Sequence, residues 1–166
     1  MVRREPRYEV AMTKWLILAL LAGCATDESG TADPADLLVI ANQPAQGTIA
    51  GVSWTLGTRF MNVSVADNEL NVDLLQDAVA DCTKDETQAS YPFIIFFTPA
   101  TPGRYELGQT QFVTFVDKPS SNLIVSRGVV QIDAITATTV SAGLHVFDPE
   151  FGEINGRFDG QLCFSN

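Results

Sequence analysis

The chain has 166 residues, 46% of them hydrophobic and 18% charged, with a formal net charge of −10 and a single histidine. That length sets one domain as the expectation, and the apolar fraction is enough for a packed core. The acidic balance excludes nucleic acid as a partner, because a polyanion is repelled.

The first elements in chain order belong to export. Arg3, Arg4, Arg7 and Lys14 make a positive start, Trp15 to Leu21 form a short apolar block, and Ala22 and Gly23 are small. That order is the pattern of a secretory signal peptide. The block is far shorter than the roughly 20 apolar residues a spanning helix needs, so no membrane-crossing helix is expected. Met12-Thr13-Lys14 would make a compact start by itself, and Glu5 and Glu9 are unusual in such a segment, so Met1 and Met12 both stand as candidate starts. The stretch Leu21-Ala22-Gly23-Cys24 resembles the lipobox of bacterial lipoproteins. The resemblance implies that residues 1–23 are a signal peptide cut before Cys24, that Cys24 carries a thioether-linked diacylglycerol, and that the new N-terminus is acylated. Ala25 after that cysteine, under the family's sorting rule, implies the outer membrane of a Gram-negative bacterium. One acyl chain binds a bilayer only marginally, at about 0.8 kcal/mol per buried methylene, so two or three chains are what make such an anchor durable.

Residues 24–36 are the cysteine and then "ATDESGTADPAD", small, acidic and punctuated by Pro and Gly. This composition cannot bury a core and reads as a flexible tether. Residues 37–166 then form the folded domain. From Cys24 onward there are six basic and eighteen acidic residues, a net charge of −12.

Within the domain, short strand-like runs replace any long helical period. "GTIAGVSW" at 47–54 reads as one strand. "RFMNVSVA" at 59–66 alternates, and "ELNVDLL" at 69–75 puts Leu70, Val72 and Leu74 on one face. "YPFIIFF" at 91–97 is apolar on both faces, as a central strand is. "TPATPGRYELG" turns and resumes at Tyr105 and Leu107, and "QFVTFVD" and "NLIVSRGVVQID" follow across the turn signal "KPSS". "TVSAGLHVF" and "EINGRFDGQLC" form a hairpin around "DPEFG". Pairing Val146 with Ile154 sets Leu144 opposite Gly156 and Ala142 opposite Phe158, and a slip of one residue would destroy that match of apolar faces. On the other face His145 meets Asn155 and Ser141 meets Asp159.

These runs predict an all-β fold, an antiparallel β-sandwich or barrel of about eight to ten strands. The elements Gly103-x-Tyr105-x-Leu107 and Gly156-x-Phe158 with Cys163 resemble those of small uncharacterised all-β lipoproteins of Gram-negative bacteria. That resemblance implies a fold class and a secreted life, not an activity.

Candidate chemistry is sparse. With Cys24 lipidated, Cys82 and Cys163 remain as an even pair in an oxidising compartment, where a disulfide is expected. The loop it closes would contribute about 4.5 kcal/mol in the chain-entropy model. A zinc site is not expected, because one histidine and no Cys-x-x-Cys cannot complete the usual ligand set. Asp73, Asp77, Asp81 and Asp85 recur every fourth residue and are the candidate calcium ligands, since a hard cation takes several oxygens at once. The bland reading is a solvated strand-and-loop decorated with charge. His145 with Ser141 and Asp159 has the residue types of a hydrolase triad but no nucleophile signature, and an exposed strand histidine is the expectation. Most aromatics are expected in the core at strand spacing. Phe151, inside the hairpin turn, is the exception and the candidate partner contact. The expectation is a non-enzymatic binding or structural lipoprotein of the cell envelope, held to the membrane by the lipid on Cys24, with no catalytic residue and no cofactor. Its partners would be envelope proteins or glycans. A calcium-dependent glycan or small-ligand binder is the alternative, and a carboxylate-based hydrolase the third reading.

Overall fold

A computed structural model describes residues 38–57, 62–66, 68–77 and 89–163, and of residues 62–66 the backbone alone. Cys24, Cys82, Asp81, Asp85, the lipobox and the tether all lie outside the described residues. The described part is all-β and contains eleven strands. They are β1 (Gln46–Ile49), β2 (Val52–Thr55), β3 (Asn62–Ala66), β4 (Glu69–Leu74), β5 (Phe93–Pro99), β6 (Gly103–Glu106), β7 (Val113–Lys118), β8 (Ser121–Val125), β9 (Gly128–Ile135), β10 (Thr139–Asp148) and β11 (Gly152–Leu162).

Two antiparallel layers make a β-sandwich. One runs β6-β9-β10-β11 and continues from β11 to β1 and β2; the other runs β3-β4-β5-β7-β8. A parallel contact, Gln161 beside Asn62 and Leu162 beside Val63, joins them. The path ends at β6 and β8, which do not pair, so of the two architectures expected the sandwich is the one formed and the barrel is not.

Period-two alternation builds the core. Leu70, Val72 and Leu74 of β4 are fully buried, and so are Ile94 of β5, Val113 and Phe115 of β7, and Leu144, Val146 and Ile154 of the last hairpin. At about 25 cal/mol per Å² of apolar area removed from water, this shared interior is the main favourable term. Phe96 meets Phe158 across the layers edge to face, with ring centroids 6.2 Å apart. The hairpin register is the one the sequence dictates: Val146–Ile154, Leu144–Gly156, Ala142–Phe158, His145–Asn155 and Ser141–Asp159. β5 is central, between β4 and β7, and its outward side carries a second cluster in which Phe93 packs with Leu75, Ala89 and Val116.

Two expectations are corrected. The run "GTIAGVSW" is a hairpin rather than one strand, because Ala50 and Gly51 turn with φ of 49° and 77°. Both central residues of such a two-residue turn need positive φ, and an alanine at the first position conceals it in the sequence. The run "NLIVSRGVVQID" is two strands in different layers: β8 pairs with β7 and β9 with β10, and the chain crosses over at Ser126 and Arg127.

The sandwich is closed at one end by Trp54. Its indole is 1% exposed, and Nε1–H donates to the carbonyl of Pro92 at 3.1 Å, a long-range tie from β2 to the entry of β5. Tyr105 folds back over Gly103, its hydroxyl donating to the Thr101 carbonyl at 2.8 Å. A Cβ on Gly103 would lie 3.0 Å from that hydroxyl, which gives the Gly-x-Tyr element a physical reason.

Thr98, 1% exposed on the inward side of β5, has a hydroxyl with no hydrogen-bond partner. An unpartnered buried hydroxyl costs free energy that a methyl does not. Thr98→Val is therefore expected to stabilise the fold by about 1 kcal/mol. The check is a urea midpoint that rises at unchanged slope.

Candidate functional site

The described polar side chains converge on the outer face of β6-β9-β10-β11, where the segment 38–45 lies across the strands like a strap. The strap is held through its backbone. Val39 offers its carbonyl to His145 Nδ1 at 2.7 Å and to Asn155 Nδ2 at 3.3 Å, and the Ala41 amide donates to Asn155 Oδ1 at 2.8 Å. Arg104 of β6 donates to the Leu38 carbonyl. Further on, the Arg157 amide donates to the Gln43 carbonyl at 2.7 Å, and the Ala45 amide to the Arg157 carbonyl at 3.0 Å.

Two glycines make room for this arrangement. A Cβ on Gly143 would stand 2.8 Å from Ile40 Cγ2, so the strap rests where β10 has no side chain. A Cβ on Gly156 would stand 2.6 Å from Ala45 Cα, and the residue has φ of 146°. Both the space and the backbone conformation at Gly156 belong to glycine.

Strand alternation puts His145, Asn155 and Arg157 on this outer face. His145 is 5% exposed and not the exposed strand histidine expected, because the strap covers it. Its Nε2 faces Glu153 Oε1 at 2.8 Å. Arg157 pairs with Asp133 of β9 at 2.6 Å, and the chain of contacts continues through Gln131 Nε2 to Asp133 Oδ1 at 2.6 Å and Arg104 to Gln131 Oε1 at 3.3 Å. These groups bridge strands and strap. They line no cleft.

No family model, curated protein or solved structure matches the chain. The site must therefore be read from its own geometry. Ser141 and Asp159 hydrogen-bond to each other, as their register requires. They stand four residues along the strand from His145, roughly 13 Å at 3.3 Å per residue, too far to form a catalytic triad. Asp73 lies on β4 opposite Ile95, and Asp77 Oδ2 accepts from the Ser90 amide at 2.9 Å. Among the described residues no three His, Cys, Asp or Glu side chains are grouped as metal ligands are. Asp81 and Asp85, the other two candidate calcium ligands, lie outside the described residues.

Phe151 does not protrude from the hairpin turn. It is half-buried and packs against the main core, since the turn folds it inward over β1, where its carbonyl accepts from the Ala50 amide at 2.7 Å. The exposed apolar groups are elsewhere. Phe97, Phe112 and Ile124 are 52%, 41% and 46% exposed. Phe97 and Ile124 lie on the outward side of the β3-β4-β5-β7-β8 layer, and Phe112 immediately precedes β7. The run "FIIFF" signals apolarity on both faces of β5, and the outward surface follows from it once β5 is placed centrally. The strap contacts had no such signal, since they are long-range and made by backbone. Cys163 directly follows β11.

The two glycines give a ranked expectation. Gly156→Ala meets backbone below 3 Å and should cost about 1–3 kcal/mol, as overpacking does, whereas Gly143→Ala meets the end of the Ile40 side chain at 2.8 Å and the Gly156 carbonyl oxygen only at 3.1 Å, and should cost less. Urea unfolding of the two variants side by side measures the order, and equal losses would contradict the strap's path over Gly156.

Proposed function

We propose that the protein is an exported lipoprotein of the cell envelope, anchored through lipid on Cys24, whose β-sandwich serves a non-enzymatic binding or structural role. The observation that carries this reading is the lipobox Leu21-Ala22-Gly23-Cys24 behind a charged start and a short apolar block. The domain's chemistry agrees with it. The described histidine, serine and carboxylate candidates are engaged in strap and strand contacts, while apolar groups such as Phe97 and Phe112 are exposed. A partner contact among envelope proteins is the role this surface supports, and the outer membrane is the site the residue after Cys24 favours.

The lipid reading also assigns the disulfide. A cysteine alkylated as a thioether has no thiol left to oxidise, so a disulfide of Cys163 would be made with Cys82. Cys82 and Cys163 then close a long loop in an oxidising compartment, as the two-cysteine remainder implies.

Two measurements test these proposals. Cys24→Ser should move the protein from the membrane fraction to the soluble one, and a variant that stays membrane-bound would defeat the anchor. Thiol labelling of the unfolded, unreduced native chain should find no free cysteine, and label at Cys82 would defeat the pairing.

A further inference from the structure

We propose that the free edge of β8 is a docking edge for another protein: an extended segment of that protein, apolar in the middle and acidic at both ends, adds to β8 as a further strand. The inference deepens the reading of the domain as a binding module and rests on it, but it makes no use of the anchor.

The edge follows from topology. β8 ends its layer and pairs with β7 alone, so one side of Ser121–Val125 has no neighbouring strand among the described residues. Unpaired N–H and C=O groups along such an edge are a template for an incoming chain. Folded proteins usually blunt their edges with charge. The other end of the path does so, since β6 carries Arg104 and Glu106, both exposed. β2, which pairs only with β1, turns Ser53 and Thr55 to water. β8 reads Ser-Asn-Leu-Ile-Val, with neither a charge nor a proline.

The side chains around this edge are apolar. Ile124 is 46% exposed on the outward side, opposite Thr114 of β7, while Leu123 is half-buried against the main core. Phe112 adjoins Val113, the partner of Phe96, so the register brings it beside Phe97. Phe97, Phe112 and Ile124 thus make an exposed apolar strip that runs out to the free edge. A strand added to β8 sets alternate side chains beside Ile124 and beside Leu123, and covers both. Its backbone supplies attachment, and the two rows of side chains supply selectivity.

Charge decides the occupant. Lys118 precedes the strand and Arg127 follows it. The Lys118 side chain is 72% exposed, with Asp117 4.0 Å away, and Arg127 is exposed and makes no ion pair among the described residues. The other basic side chains described, Arg104 and Arg157, are engaged on the opposite layer. A second copy fits this bracket badly. In a two-fold antiparallel pairing of β8 with itself, the start of one strand lies beside the end of the other, so Lys118 would approach the other copy's Arg127. Two strongly acidic chains also repel as wholes. A segment with a carboxylate at each end meets both cations, and spanning β8 with one residue to spare on either side takes about seven residues.

The test is an NMR titration of the full-length chain with a capped peptide, Asp-Val-Thr-Val-Thr-Val-Asp, and with its analogue carrying lysine at both ends. Expected are amide shifts confined to β8 and the adjoining β7, and slowed exchange of the edge amides within Ser121–Val125. The lysine-ended peptide should bind about fivefold more weakly, as two exposed ion pairs account for. Ile124→Glu puts a charge on the edge at an exposed position, and should abolish binding while the chain still melts as the wild type does. Lys118→Glu together with Arg127→Glu should reverse the preference between the peptides. Amides of β8 that do not move at roughly 1 mM peptide, the weak end of specific binding, would overturn the proposal. So would equal binding of the two peptides, binding that survives Ile124→Glu, or a preference that the charge reversal leaves in place. Sedimentation that finds wild-type dimers dissociated by Ile124→Glu would also overturn it, because the edge would then belong to a second copy. Membrane fractionation of Cys24→Ser reads the anchor separately, so either result can fail without the other.

Discussion

The structure depends on one strand being shared. β11 pairs with β10 along one edge for ten residues and gives its other edge to three segments in turn. Gly152 to Asn155 pair with β1, Arg157 bridges the strap at Pro44, and Gln161 and Leu162 pair with β3. Backbone groups that would otherwise be orphaned in a buried edge are thereby answered, which folded chains enforce almost without exception. It also lets one strand belong to both layers, so the sandwich has a hinge of continuous hydrogen bonding at one side and is open at the other. Gly156, where the strap passes over the edge, cannot bear a side chain for this reason.

How much of this could be read in the sequence depends on range. The β10–β11 register was legible to the residue because alternation and size complementarity act locally: Leu144 needs the space over Gly156, and Phe158 the space over Ala142. β4 and β5 were legible for the same reason. The β1–β2 turn was not, because Ala50 occupies a conformation that glycine or asparagine usually marks. The break between β8 and β9 was missed because "NLIVSRGVVQID" contains only Ser126 and Arg127 between two apolar runs, and a change of layer leaves no local trace. His145 looked exposed because its strand face is polar, and only the strap, joined by backbone contacts from a hundred residues away, buries it.

The same distinction governs the functional reading. Export and lipidation are sequence signals that act on the unfolded chain, so they are written in contiguous residues and do not depend on the fold. A binding surface is made by topology. Placing β5 at the centre of its layer turns Phe93 and Ile95 into a second small core and leaves Phe97 exposed. The polar groups on the opposite outer face are joined in one network from Arg104 to Arg157, which ties strands and strap together.

The central claim is that β11 makes the two layers one cooperative unit. Native-state hydrogen exchange on the full-length chain tests it most directly. The account predicts that the slowest amides of β10 and β11 and those of β4 and β5 open with the same free energy, equal to that of global unfolding. A distinctly lower opening free energy for β4, β5 and β7, with β10 and β11 still protected, would show that the layers unfold separately and would contradict it.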